Sequence, residues 1–320
     1  MNGLIQSINN MPGGWFAVLI LLVVIVSIIL LQAIFKNLNI ARLIADTPQS
    51  KIRSAAQGFI ELKGKVALLG NNPLKAPLSG EDCCWYYYRI EQEITTPNAD
   101  GSVSTNWEII DSGQSARAFK LQDDTGECVI NPMKSDVKPH VKSSWRGSSL
   151  SSKNTGSISA GLWTGIVSCA TSNQFRFTEH RIDPGDTTYA LGYFTTFPTS
   201  ENPMKGIKED QLSSHLLAKA GKSGEKINKV KNHMEKLFGS KLNHMLDEVN
   251  LSIEDWDTYV KLNDKIEQVN YLSKKERPYI ISTFSEKKLV SKYRWQSFFS
   301  TFGFLATIAI LFFIINSRLL

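Results

Sequence analysis

Cys83 and Cys84 stand side by side in an aromatic run, CCWYYY, and His140 and His180 follow later in the chain. A thiolate beside an imidazole oriented by a third group makes a nucleophile and its base. No spacing here demands that pairing, and a cysteine on an aromatic strand is first a small packing residue. Glu179 and Asp186 would serve as acid and base if adjacent. A strand carboxylate held by Arg176 or Arg181, and a turn aspartate, account for the same residues without chemistry. Asp123-Asp124-Thr125-Gly126 places acids beside a glycine, as a metal loop does, but this is also the composition of a hairpin turn. The 4 cysteines and 5 histidines contain no C-x-x-C pair, so neither a zinc finger nor a disulfide scaffold is expected. Glycine-rich phosphate loops, nucleophile elbows and H-E-x-x-H are absent from the sequence. No catalytic residue, metal or cofactor is expected.

The elements that position these residues are mostly strands. Pro77–Glu91 (PLSGEDCCWYYYRIE) opens with a turn and continues as a strand. Strict alternation would put Cys83, Trp85 and Tyr87 on one face and Cys84, Tyr86 and Tyr88 on the other. Both faces are then apolar, as in a strand covered on both sides. Asn98–Ser102 and Asp123–Gly126 read as hairpin turns. Phe175–Ile182 alternates, with Phe175, Phe177 and Glu179 opposite Arg176, Thr178 and His180. A turn at Asp183–Asp186 then leads into the strand Thr188–Phe197, and Pro278–Ser285 reads as a last strand. The Ser/Gly-rich stretch holds Trp145, Leu162 and Trp163, able to touch the core or a membrane surface. From Glu201 the composition turns to Lys, Glu, Asn and Leu. Ser252-x-x-Asp255 has the form of a capping box, and Trp256, Tyr259, Leu262, Ile266 and Val269 recur at helical spacing.

Both ends of the chain are apolar. Trp15–Phe35 carries no charge, and at about 1.5 Å per residue such a helix crosses a core of about 30 Å. No Lys or Arg precedes it and no small-residue cleavage site follows, so an uncleaved anchor is expected. Phe298–Ile315 is a second span, preceded by the interfacial aromatics Tyr293 and Trp295. Lys36, Arg42, Lys51 and Arg53 follow the first span, and Lys287, Lys288, Lys292 and Arg294 precede the second. The positive-inside rule therefore expects residues 36–294 in the cytoplasm and both termini outside. These flanks and a lysine-rich helical stretch explain the net charge of +6. Basic residues beside aromatics, such as Tyr88-Arg89, form no stripe that argues for nucleic acid.

The expected fold is α+β: two transmembrane helices flanking a β-rich, barrel-like soluble domain with a helical insertion. Its parts are a tail (1–14), a transmembrane helix (15–35) and a juxtamembrane connector (36–54). The β-rich domain (55–200) with a Ser/Gly-rich loop (143–174) and the helical insertion (201–272) follow. A return strand with a juxtamembrane segment (273–297), a second transmembrane helix (298–315) and a short tail (316–320) complete it.

Three separated pieces, SAAQGFIELKG (Ser54–Gly64), Pro77–Glu91 with its PLSG-x-x-C-x-WY-x-Y core, and TEHRIDPGDTTYALG (Thr178–Gly192), together resemble the GIDE family. This is the beside-a-membrane domain of mitochondrial RING-type ubiquitin ligases, which lies between two transmembrane helices. Asp124-Thr125-Gly126-x-Cys128, Trp145-x-Gly147 and PYIIS-x-x-SEKKLV also fit, and the variant most similar is the bacterial one. The resemblance runs in order through most of Lys36–Ile315. It implies a membrane-proximal binding or sensing module whose partners are the lipid bilayer and a protein, peptide or lipid head group. Ser79, Cys83, Tyr86, Tyr88, Glu179 and Asp186 are the contact residues at motif positions. Ubiquitin ligation is the alternative that the family name suggests. It needs a RING with eight zinc ligands in paired C-x-x-C spacing, which this sequence does not contain, so no ligase activity follows from it. A transmembrane scaffold subunit is a further alternative. Family ligases also place this domain on the side away from the RING, whereas the charges here place it in the cytoplasm. Some bacterial relatives carry a calcium-type helix-loop-helix; Asp247–Trp256 would be its relic, but it lacks the D-x-D-x-D-G ligands, so calcium is not expected.

Overall fold

The computed structural model describes residues 10–98, 100–147, 174–207, 231–263 and 266–319. Leu162, Trp163, Cys169 and most of the Ser/Gly-rich stretch lie outside them. Helix α1 (Gly13–Asp46) is followed by strands β1 (Gln49–Ser50), β2 (Gly58–Leu68), β3 (Leu74–Lys75) and β4 (Asp82–Cys83). Next come β5 (Trp85–Pro97), β6 (Val103–Gln114), β7 (Phe119–Gln122), β8 (Glu127–Ile130), β9 (Asp136–Lys138) and β10 (Val141–Gly147). The chain continues with β11 (Phe175–Ile182), β12 (Thr187–Pro198), helix α2 (Lys231–Leu262), β13 (Gln268–Ser273), β14 (Ile280–Ser282) and helix α3 (Glu286–Leu319). These elements form two compact units, Met1–Pro48 with Ser285–Leu320, and Gln49–Phe284.

The first unit is helical. α1 and α3 each have 34 residues, and both are long and apolar enough to cross a membrane. At about 50 Å each they exceed a hydrocarbon core of about 30 Å. They run antiparallel. The Ser27 hydroxyl donates to Thr307 Oγ1 at 2.9 Å, the kind of polar contact that holds helices together in lipid. At one end the Arg318 guanidinium lies 4.0 Å from the Phe16 ring centre.

In the second unit five strands close into a barrel, in the order β2-β7-β8-β13-β12 and back to β2. Every pairing is antiparallel except β8 with β13. β2 is the strand that turns the corner: residues Gly58–Lys65 pair with β12 and Lys65–Leu68 with β7. Gly64 sits at the change of partner, where an added Cβ would lie 2.3 Å from the Gln122 carbonyl oxygen. Any side chain there would push β7 off the barrel. Ile60, Leu62 and Val66 from β2 fill the interior with Leu121, Ile130 and Leu272. A second sheet is four-stranded, β10-β11-β5-β6, and β3 and β4 pair by themselves.

Four expectations are corrected. The stretch from Ser143 to Gly147 is not loop: it belongs to β10, whose partners on β11 satisfy its backbone, and Trp145 stacks on Phe177 at 5.6 Å. Alternation breaks at Cys84, whose N–H turns to the Ile182 carbonyl at 2.8 Å. Cys84 therefore packs in the barrel core beside Trp85, while Cys83 packs beside Tyr86. Ser252 and Asp255 cap nothing, because they lie inside α2. Finally, the helix ends at Leu262, where the Asn263 side chain donates to the Tyr259 carbonyl, and Val269 belongs to a barrel strand. The helical insertion thus stops short of residue 272.

What Ser252 and Asp255 do instead explains how α2 docks. Glu248, Ser252 and Asp255 stand one or two turns apart on one helix face. Opposite them runs the irregular segment Ser115–Ala118, in which the Ser115 N–H donates to the Tyr86 carbonyl of β5 while the N–H groups of Ala116 and Ala118 turn to the helix. Glu248 accepts the Ala116 N–H at 2.6 Å and Ser252 the Ala118 N–H at 3.0 Å. Asp255 takes both Nε and Nη2 of Arg117, at 3.0 and 2.8 Å. Trp256 and Tyr259 beside this strip pack with Val129, Val269 and Tyr271. Apolar packing and satisfaction of buried backbone therefore act together.

Candidate interaction surface

The expected contact residues lie on the inner side of the four-stranded sheet or at its turns. Glu179 on β11 is 1% exposed. It accepts the Leu78 N–H at 2.8 Å, the Ser79 N–H at 3.1 Å and the Ser79 hydroxyl. Arg181 closes the arrangement by donating to Ser79 Oγ at 2.8 Å. The Pro-Leu-Ser-Gly turn, with Gly80 at φ 75°, is thereby pinned to β11. Cys83 and Tyr86 are buried together, and Tyr86 donates to Glu248 at 3.0 Å. Tyr88 donates to Asp111 at 3.0 Å. Asp186 accepts the Asp183 N–H at 3.0 Å in the turn before β12. Ser79 and Glu179 thus meet; Cys83, Tyr86 and Tyr88 form a second group; Asp186 stands apart. Burial leaves direct contact to the half-exposed Ser79, Tyr88 and Asp186.

Among the described residues no nucleophile is assembled from the cysteines. Burial pushes the Cys84 thiol up to about 12, with Asp183 adding to the effect. It raises Cys83 as well, with help from the neighbouring Cys84. Raised thiols stay protonated and unreactive. The His140 ring contacts the Thr283 hydroxyl at 2.9 Å, and His180 points to the other side of the sheet, with its ring 5.8 Å from Tyr87.

That other side is a different surface. Pairing across the sheet aligns Lys142, His180 and Tyr87 in one row, Ser144, Thr178 and Arg89 in the next, and Arg146, Arg176 and Glu91 in a third. Trp107 and Ile109 on β6 complete it, opposite Glu93 and Glu91. The Arg176 guanidinium lies 4.1 Å from the Trp107 ring centre and that of Arg146 5.4 Å, both within cation–π range. Glu91 is shared between Arg89 at 3.7 Å and Arg176 at 3.6 Å. Among the described residues Lys142 and Arg146 pair with no carboxylate. His180 is held below its ordinary value, first by partial burial and then by Lys142 and Arg89. The last two causes mark a positive potential. Cations outnumber Glu91 and Glu93 here, and the exposed Ile109 adds an apolar spot.

Sequence reasoning placed Arg176, Thr178 and His180 on one side of β11 but missed the surface they belong to. Three of its residues, Lys142, Ser144 and Arg146, come from β10 and lie in a stretch rich in serine and glycine. Their alternation with Val141, Ser143 and Trp145 was the available signal. No family model, curated protein or solved structure matches this chain.

Proposed function

We propose that this is a two-pass membrane protein of the GIDE type, whose β-rich domain is a non-enzymatic binding module held beside the bilayer. The domain lies in the cytoplasm and both termini lie outside. Its contact surface is the outer face of the four-stranded sheet, and its partner is an acidic protein segment. The observation that carries this reading is the pair of guanidinium groups on Trp107, set among further cations and without enough carboxylates to balance them. A flat cationic and aromatic surface suits an extended acidic peptide, which offers charge to the arginines and backbone to the ring.

The test uses the full chain in nanodiscs and a fluorescent deca-glutamate peptide. Binding is expected to weaken steeply with salt and to fall about tenfold in Lys142→Gln/Arg146→Gln, since each charge near such a surface contributes about 1 kcal/mol or less. Unchanged binding in that variant places the contact elsewhere. A reporter fused after Leu320 tests the orientation, and an external position is the expected result.

A further inference from the structure

The helical unit contains a site of its own. Where α1 finishes and α3 begins, the two helices leave an open cleft of about 610 Å³, bounded on α1 by Ala45. On α3, Lys287, Ser291 and Arg294 recur at helical spacing along it, and Val290, Trp295 and Phe298 line it beside them. The lining is graded. Charged and hydroxyl groups come first, then the 58% exposed Trp295, then the 60% exposed Phe298 where the apolar span begins. A glycerophospholipid has the same order along its length: phosphate, glycerol, acyl chain. Among the described residues neither Lys287 nor Arg294 has a carboxylate partner. Glu286 also lines the cleft, so its charged groups leave one net positive charge, which matches one phosphodiester.

We infer that this cleft is a binding site for a single anionic phospholipid, with the phosphate held by Lys287, Ser291 and Arg294 and an acyl chain lying against Trp295 and Phe298. Basic pockets between membrane helices recognise anionic headgroups in this manner. Tryptophan at the polar boundary suits the glycerol level. The inference stands apart from the binding role of the β-rich domain, because every lining residue belongs to the helical unit.

Native mass spectrometry of the delipidated full chain with equimolar palmitoyl-oleoyl phosphatidylglycerol and phosphatidylcholine tests it. Phosphatidylglycerol should be retained about tenfold more than phosphatidylcholine, the preference expected from two cations near the headgroup. Lys287→Gln/Arg294→Gln should bring the ratio close to one. Ser291→Trp, which fills the cleft and leaves its charges, should remove both adducts. Lys142→Gln/Arg146→Gln, in the other unit, should leave the preference intact. Equal retention by the unaltered chain overturns the inference, whatever the variants do. So does a preference that survives loss of both cations, or one abolished by the substitutions at Lys142 and Arg146.

Discussion

On β11 the side chains of Phe175, Phe177 and Glu179 point to one side of the sheet, and those of Arg176, Thr178 and His180 to the other. The inner side is closed. Phe177 is 2% exposed, and both oxygens of Glu179 are engaged by Leu78, Ser79 and Arg181. Burying a phenylalanine contributes about 1.5–3 kcal/mol, and the N–H bonds to a buried carboxylate prevent a larger loss. The outer side is open, and its ion pairs at 3.6 and 3.7 Å are of a kind that contributes about 1 kcal/mol or less. The same strands thus carry stability on one face and charge that folding does not need on the other. Residues crowded into recognisable motifs hold the turn and the core. The surface free to meet a partner is built from scattered residues with no motif of their own.

Glu179→Ala should be the sharpest break between the two faces. It leaves the Leu78 and Ser79 N–H groups without an acceptor and takes from Arg181 its buried carboxylate, leaving it Asp183. A loss of about 3–5 kcal/mol in denaturant unfolding is expected. If the loss stays under about 1 kcal/mol, the turn is not pinned from β11 and the contrast collapses.

Glu248 sharpens the inner side through pH. Burial raises its carboxyl above the ordinary value, outweighing the opposing effects of His244 and the bonds from Ala116, Tyr86 and Ser115. A carboxyl raised in the folded state binds its proton more tightly there than in the unfolded chain. Its contribution is therefore fully present below the unfolded value, about 4.3, and declines as pH rises through the folded one. Glu248→Gln keeps an oxygen for the Ala116 N–H and can donate to Tyr86. It should leave stability within about 1 kcal/mol at pH 7.5 and flatten the pH dependence between about 4.3 and neutrality. Unfolding midpoints at pH 5 and 7.5 for both chains decide this; parallel slopes would mean that another group sets the dependence.

The outer face should respond in the opposite sense. Lys142→Gln/Arg146→Gln is expected to change unfolding free energy by no more than about 0.5 kcal/mol while weakening acidic-peptide binding. A destabilisation as large as that of Glu179→Ala would make these cations part of the framework.

How far the sequence discloses this molecule depends on whether a residue's neighbours are local. The two long apolar helices, the hairpins and the alternation of β11 follow from periods of 3.6 and 2 and from turn residues. The Asp123 turn is of this kind: Asp123 accepts from Thr125 and Gly126, its near neighbours, though also from Ile52. Ser252 and Asp255 show the opposite case. Their spacing is that of a cap, yet Ala118 and Arg117, more than a hundred residues away, claim their side chains. A barrel-like domain was expected, but the pairing that closes it was not legible, since it depends on β13 meeting β8 across 137 intervening positions of chain, between Ile130 and Gln268. The cationic face proposed as the contact surface was hidden for the same reason, being assembled from β5, β6, β10 and β11.

The smallest expected effect probes the field on the outer face itself. His180 is held below 6.5 first by partial burial and then by Lys142 and Arg89, which disfavour the imidazolium. Lys142→Gln removes one of the two charges and leaves the ring where it is, so the His180 midpoint should rise, though it should stay below 6.5 because burial remains. Arg89→Gln should do the same, but it also removes the bond that Arg89 Nε donates to the Tyr87 hydroxyl at 3.2 Å, so the lysine is the cleaner change. Histidine resonances followed by NMR across pH 4.5–8 report this directly. A midpoint that does not move shows that burial alone depresses it and that the surface carries no field strong enough to select an acidic partner. A midpoint that rises with each charge removed ties the potential to Lys142 and Arg89, on the face where Arg146 and Arg176 also stand at Trp107.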